Sequence, residues 1–269
     1  YLTSGRDLYR LTIKTRSKGG GVIFADPTFD TSDAPGGGQG AVQNRGTRSI
    51  DLASVSWPQL PGTRQEAEYV TRVMKELTLF RGKDATEGRV KQLHGPRIVH
   101  LATHGFFLKD KQPPSDDTRS AAAVAKPGQE NPLLRSGLVL AGANHLDSGA
   151  DDGILTAMEA SALDLWGTRL VVLSACQTGA GTVTNGDGVY GLRRALVIAG
   201  AEGLVMSLWQ VDDLATRDLM SGFYDRLAHG KPRSSALREM QLELLARPKY
   251  QHPYFWAAFV PTGANTPLD

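Results

Sequence analysis

Four short stretches decide what this chain can fold into. GVIFAD (Gly21 to Asp26), RIVHLAT (Arg97 to Thr103), RLVVLSAC (Arg169 to Cys176) and GLVMSLW (Gly203 to Trp209) are nearly continuous apolar runs. A strand with one face in water alternates apolar and polar residues, whereas one covered on both faces does not. These runs therefore read as interior strands of a mostly parallel sheet. The segments between them carry helical spacing. TRQEAEYVTRVMKEL opens with Thr63 and Glu66 at capping-box distance and then sets Ala67, Val70, Val73, Met74 and Leu77 on one face. Thr156 and Glu159 repeat the device in TAMEASALDL. GVYGLRRALVIAG reads as a helix stopped at Gly200, and LATRDLMSGFYDRLAHG stripes Leu219, Phe223 and Leu227 before Gly230. Ser234 to Ala246 adds Leu237, Met240 and Leu244 on one buried face. Strands fed by helices in this order predict a three-layer α/β/α sandwich on a mostly parallel sheet. SGLVLAG (Ser136 to Gly142) and GILT (Gly153 to Thr156) read as a small hairpin beside it, and WAAFV (Trp256 to Val260) as a last strand.

Composition narrows the function classes. The chain has 269 residues, 41% hydrophobic and 22% charged, enough to bury one large core. Its 30 basic residues nearly balance 28 acidic ones, and no basic run exceeds pairs such as Arg193-Arg194, so direct nucleic-acid binding is not indicated. Apolar stretches such as Ala195 to Ala201 fall far short of the roughly 20 residues that span a bilayer, so no membrane segment is expected. A single cysteine excludes an internal disulfide framework and suits a reducing, cytoplasmic setting. The opening YLTSGRDLYRLTIK lacks the apolar core of a signal peptide. Residues 1–20 accordingly read as a linker from a longer parent chain, and residues 21–269 as the domain. Within it, residues 31–49 and 109–131 are rich in Gly, Pro, Ser and Asp without periodicity, and are expected to be flexible loops.

In an open α/β sheet, reactive groups gather just past the carboxyl ends of the strands. His104 follows RIVHLAT there, and Cys176, the only thiol, ends RLVVLSAC before the glycine-rich QTGAG. If those strands are neighbours, thiol and imidazole share one edge. The thiolate is the nucleophile, and a histidine beside it can take the thiol proton and later give one to a leaving amine. Gly105 places no side chain in the way, so its backbone N–H and that of Cys176 could form an oxyanion hole. No acidic third member is evident. His100 and His104 have the i, i+4 spacing of zinc ligands, but they lie in a strand pattern without the glutamate of H-E-x-x-H, so no metal is expected. Asn185 to Gly188 (NGDG) lacks the lysine and serine of a P-loop, and no cofactor is expected. Asp187 either lines the site or caps the next helix.

HLATHGFF, then VVLSACQTGAG, then NGDGVYGLRRALVIAGAEGLVMSLWQVDDLAT, in that order, resemble the CHAT family over roughly residues 20–263. These are caspase-like domains often found behind tetratricopeptide repeats. The resemblance implies a caspase-like fold and cysteine endopeptidase activity on a protein or peptide substrate, with His104 and Cys176 at the positions of the catalytic dyad. It also implies cleavage at few sites, under control of an adjoining repeat or sensor region. The sequence departs from the caspase signature Q-A-C-[RQG]-G, and its histidine stands further upstream of the cysteine than about 50 residues, so a caspase preference for aspartate does not carry over. The SLWQVDDLAT segment is similar to one in separases, which implies Trp209 and Asp213 in the pocket for the residue before the cut. A carboxylate there would favour a basic side chain. Trp209 as plain core and Asp213 as a helix N-cap remain the alternatives. For the whole chain, the alternative is a catalytically silent caspase-like scaffold that only binds protein.

Overall fold

In the computed structural model the described residues are 13, 15–30, 52, 55–108, 131–174, 176–177, 187–209 and 211–268, with residues 176–177 and 187–190 described by backbone alone. The loops expected over 31–49 and 109–131 lie almost wholly outside them.

The four apolar runs are strands β1 (Gly21–Pro27), β3 (Ile98–Ala102), β7 (Leu170–Leu173) and β9 (Gly203–Ser207). With β2 (Leu77–Gly82) and β10 (Phe259–Gly263) they form a six-stranded sheet of order β10-β9-β7-β3-β1-β2. All neighbours are parallel except β10, which runs antiparallel to β9. The last strand therefore begins three residues later than WAAFV suggests, because Pro253–Phe255 form a 3-10 turn that delays the chain's entry into the sheet. After β1 the chain crosses to β2 on one side and returns to β3 on the other. The order reverses at β1/β3, and in open α/β sheets ligand sites lie outside the carboxyl ends of the strands at such a point.

Each interior strand sends alternate side chains to opposite faces, and both faces are covered. On one, Ile23, Ala25, Ile98, Leu170, Val172 and Val205 meet Ala67 and Val70 of α1 (Pro61–Val73), Leu219 and Phe223 of α5 (Asp213–Ala228), and Leu237, Met240 and Leu244 of α6 (Arg233–Ala246). On the other, Phe24, Val99, Leu101, Val171, Leu173 and Met206 pack with Val90 of α2 (Glu87–Lys91), Ala157 of α3 (Ala157–Ala160), and Leu192 and Leu196 of α4 (Asp187–Ala199). This is the expected three-layer sandwich. α4 ends at Gly200, whose φ of +122° a residue with a Cβ would adopt only under strain.

One feature lies outside the sequence-based expectation. β3 and β7 do not stop at the sheet edge. Each passes through a hydroxyl residue, Thr103 or Ser174, into a short continuation, β4 (His104–Phe107) and β8 (Cys176–Gln177). These join the predicted hairpin, β5 (Ser136–Val139) and β6 (Ile154–Thr156), in a second sheet of order β6-β5-β4-β8.

The two capping-box readings have opposite outcomes. Thr156 and Glu159 form a reciprocal box at α3. Thr63 and Glu66 do not: α1 begins two residues earlier, at Pro61, and its N-cap Leu60 has no side-chain cap. Thr63 Oγ1 instead donates to the Leu60 carbonyl and accepts from the Asp26 N–H, while Glu66 turns into the core.

Candidate active site

β4 and β8 are parallel neighbours whose register sets the Cα of His104 opposite that of Cys176, and Gly105 opposite Gln177. Adjacent strands lie about 4.8 Å apart, so imidazole and thiol carriers occupy touching backbone positions. On its other side β4 pairs with β5, placing His104 against Val139 and Gly105 against Leu138. Gly105 is thus a buried ladder residue with a strand on each side.

The His104 ring is 0% exposed. It lies between Phe29, at a centroid distance of 5.1 Å, and Trp57, at 5.6 Å. Its Nε2 is 2.6 Å from the Pro58 carbonyl oxygen. A carbonyl only accepts, so this bond requires the proton on Nε2 and leaves Nδ1 as the basic nitrogen of the neutral ring. Asn144 fixes the clamp, accepting from the Trp57 N–H at 2.7 Å and donating to the Trp57 carbonyl at 3.1 Å. The group that orients the His104 ring is therefore a main-chain carbonyl, which the sequence did not disclose. Burial lowers the His104 pKa below its ordinary 6.5; the Pro58 hydrogen bond and the Asp213 carboxylate partly oppose that shift.

Asp213 is the first residue of α5, but it is not the cap. Asp212 Oδ1 accepts from the Ala215 N–H at 2.9 Å, and Asp212 takes the N-cap position. Asp213 is exposed and packs on Gly62 of α1, where an added Cβ would stand 2.9 Å from the aspartate Cβ. With Glu66, Thr103, Ser174 and Thr216 it lines a cavity of about 10 Å³ under the strand tips, room for roughly one water. Trp209, just past β9, is neither core nor joined to His104 by a described contact. It is 37% exposed, with its Nε1 donating to the Tyr254 carbonyl at 3.4 Å. Asp187 opens α4, and its side chain lies outside the described atoms.

His100, the other histidine of the run, belongs to β3 and faces α1 and α5. Its Nδ1 is 2.9 Å from the Tyr224 hydroxyl, and its Nε2 is 3.0 Å from Glu66 Oε1. Among the described residues, no group of three or more His, Cys, Asp or Glu could hold a metal ion, and no helix is long and apolar enough to cross a membrane. The sequence reading missed Phe29, Trp57, Pro58 and Glu66. Only Trp57, an aromatic residue beside a proline at the end of a polar loop, carried a signal that could have raised the question.

Comparison with known proteins agrees with this architecture. The mouse (Mus musculus) tetratricopeptide repeat protein 28 is 30% identical over 220 residues, and the human (Homo sapiens) protein of that name is 31% identical over 221. Each alignment covers 79% of this chain and 9% of the relative, so the chain spans about a tenth of their length. Among solved structures, the crystal structure of the Arg specific cysteine proteinase gingipain R superposes with a TM-score of 0.51 at 9% identity, covering 97% of this chain and 51% of that one. At that identity the likeness is one of fold. A family model of the CHAT domain matches residues 1–264, and the chain belongs to the CHAT domain family.

Proposed function

We propose that this domain is a cysteine endopeptidase acting through Cys176 and His104. One observation carries the reading: the β4–β8 register sets these two residues opposite each other, where the strands leave the main sheet. Neutral His104 would take the thiol proton at Nδ1. The thiolate sulfur then bonds to the scissile carbonyl carbon as the carbonyl π electrons move onto oxygen, with the N–H groups of Gly105 and Cys176 as candidate donors to that oxyanion. Collapse breaks the C–N bond, and the leaving amine takes its proton from the imidazolium. Water, deprotonated by His104, then hydrolyses the thioester and restores the thiol. The Pro58 carbonyl holds the ring in the tautomer these steps require.

Trp209, Asp213 and Asp187 are proposed for the substrate side. Asp213 offers an exposed carboxylate that would attract a basic side chain, with no fixed preference assigned. Relatives named for tetratricopeptide repeats support a regulatory repeat region or partner acting on the domain, with cleavage restricted to few sites in a protein substrate, and a single thiol is consistent with a cytoplasmic setting. The complete burial of His104 favours a second reading, a silent scaffold. A peptide bearing a thiol-reactive warhead separates the two: labelling of Cys176 that His104→Ala abolishes supports the peptidase. Absence of labelling when the parent assembly is triggered supports the scaffold.

A further inference from the structure

The passage from the first sheet to the second is braced at two points. Where β3 becomes β4, the Thr103 hydroxyl donates to the Val139 carbonyl of β5. Where β7 becomes β8, the Ser174 hydroxyl donates to Glu66 Oε2 of α1 at 3.1 Å. Just before that point, the Ser174 N–H makes the closing bond of the β3–β7 ladder to the Leu101 carbonyl, at 3.0 Å. Two residues further on stands Cys176.

Glu66 is itself held. It is 2% exposed, with Oε1 at ion-pair distance from His100 Nε2, although off the axis of a hydrogen bond. The other ring nitrogen of His100 meets Tyr224 of α5. Burial and the Glu66 charge raise the Tyr224 pKa and keep its phenol protonated, and the imidazole tautomer decides which partner of the His100–Tyr224 bond donates. Ser174, Glu66 and His100 are residue types of a catalytic triad, yet they cannot work as one. The serine proton points to the carboxylate rather than to the imidazole, and Ser174 is 4% and His100 0% exposed. The order of contacts suits a brace.

We propose that Glu66 and Ser174 are positioning residues, through which α1 fixes the β7–β8 junction and so the placement of Cys176 opposite His104. This rests on the reading of those two residues as a dyad. A buried carboxylate with a three-element anchorage is costly unless every partner is held, so it transmits the rigidity of α1 and α5 to a two-residue strand with little ladder of its own. The expected consequence is a defect in geometry rather than in substrate affinity.

The test uses Ser174→Ala, Ser174→Thr and Glu66→Gln in the intact protein, with peptide cleavage and iodoacetamide alkylation of Cys176 measured side by side. Ser174→Ala should lower kcat by about tenfold to a hundredfold at unchanged KM, the range expected for misplacement of a reacting group by about 1 Å. It should slow Cys176 alkylation in parallel. Ser174→Thr, which keeps the hydroxyl, should recover both, and Glu66→Gln, which keeps an oxygen acceptor, should fall between. The proposal is overturned if Ser174→Ala keeps wild-type kcat and alkylation rate while only its melting temperature drops. If no peptide is cleaved even by wild type, but the alkylation rates separate as described, the brace stands and the peptidase reading fails. Equal alkylation rates in that case would remove both.

Discussion

The six-stranded sheet and the four-stranded sheet join at Thr103 and Ser174 and are built by opposite means. Interior strands of the first have seven, five, four and five residues in β1, β3, β7 and β9, with cores of Val, Ile, Leu and Phe covered on both faces. Strands of the second have four, four, three and two residues. The first carries its own instructions in local apolar content. The second exists because β3 and β7 deliver β4 and β8 to one place, where His104 stands opposite Cys176.

The steepest losses of turnover are expected at β4 and β8. Cys176→Ala and His104→Ala should each reduce peptide turnover by about a thousandfold or more, as loss of a nucleophile or its base does elsewhere. Circular dichroism should still report a folded chain. Retained turnover in either variant contradicts the dyad.

The main sheet should respond in stability instead. Phe24, fully buried in β1 and stacked on Phe80 at 5.0 Å, should cost about 3–5 kcal/mol when replaced by alanine, read as a lowered denaturant midpoint. Leu138→Ala in β5, also fully buried, should cost about 2–5 kcal/mol. Beyond that cost, Leu138→Ala should impair cleavage at temperatures where it remains folded, because β5 backs the strand carrying His104. Phe24→Ala should not.

A smaller effect is expected at Asp213. Asp213→Asn should weaken cleavage after Lys or Arg by about tenfold if the carboxylate meets substrate, the scale of about one charge-assisted hydrogen bond. It should also lower the His104 pKa further in an NMR titration, since the carboxylate opposes the effect of burial there. Uniform loss over all peptides with an unchanged His104 titration contradicts both roles.

A pH-dependent effect is expected where Glu87 of α2 accepts from the Gly153 N–H beside β6 and so supports the second sheet. Glu87 is buried beside Glu159 and Asp152, and burial with that repulsion pushes its carboxyl up to about 8 despite Lys91 at 2.6 Å. A raised folded pKa means the folded state holds a proton the unfolded chain has released. The stability from this group is therefore complete below the ordinary value of 4.5 and is lost as pH rises through 8. Denaturant midpoints at pH 5 and pH 8.5 should differ more in wild type than in Glu87→Gln; equal differences contradict the assignment.

What the sequence disclosed follows the same division. Runs such as RLVVLSAC and stripes such as Leu219, Phe223 and Leu227 are local and were legible. β2 was not: LTLFRG is a half-exposed edge strand directly after α1, and Leu77 also continued that helix's apolar stripe. Thr63 and Glu66 had capping-box spacing, but Pro61 starts the helix earlier and burial claims the glutamate. Asp212 and Asp213 are interchangeable on paper, and only the turn geometry makes the first the cap. The positions of His104 and Cys176 could be read because strand ends are predictable. The clamp of Phe29, Trp57 and Pro58 could not, since it closes over long chain separations that no local pattern encodes.

The pH dependence of Cys176 alkylation, compared between wild type and His104→Ala, tests the pairing of these two residues most directly. An imidazole within reach should let the wild-type thiol react at a pH well below the ordinary cysteine value of about 8.5, and His104→Ala should move the curve back toward it. Superimposable curves would mean that sulfur and imidazole do not communicate.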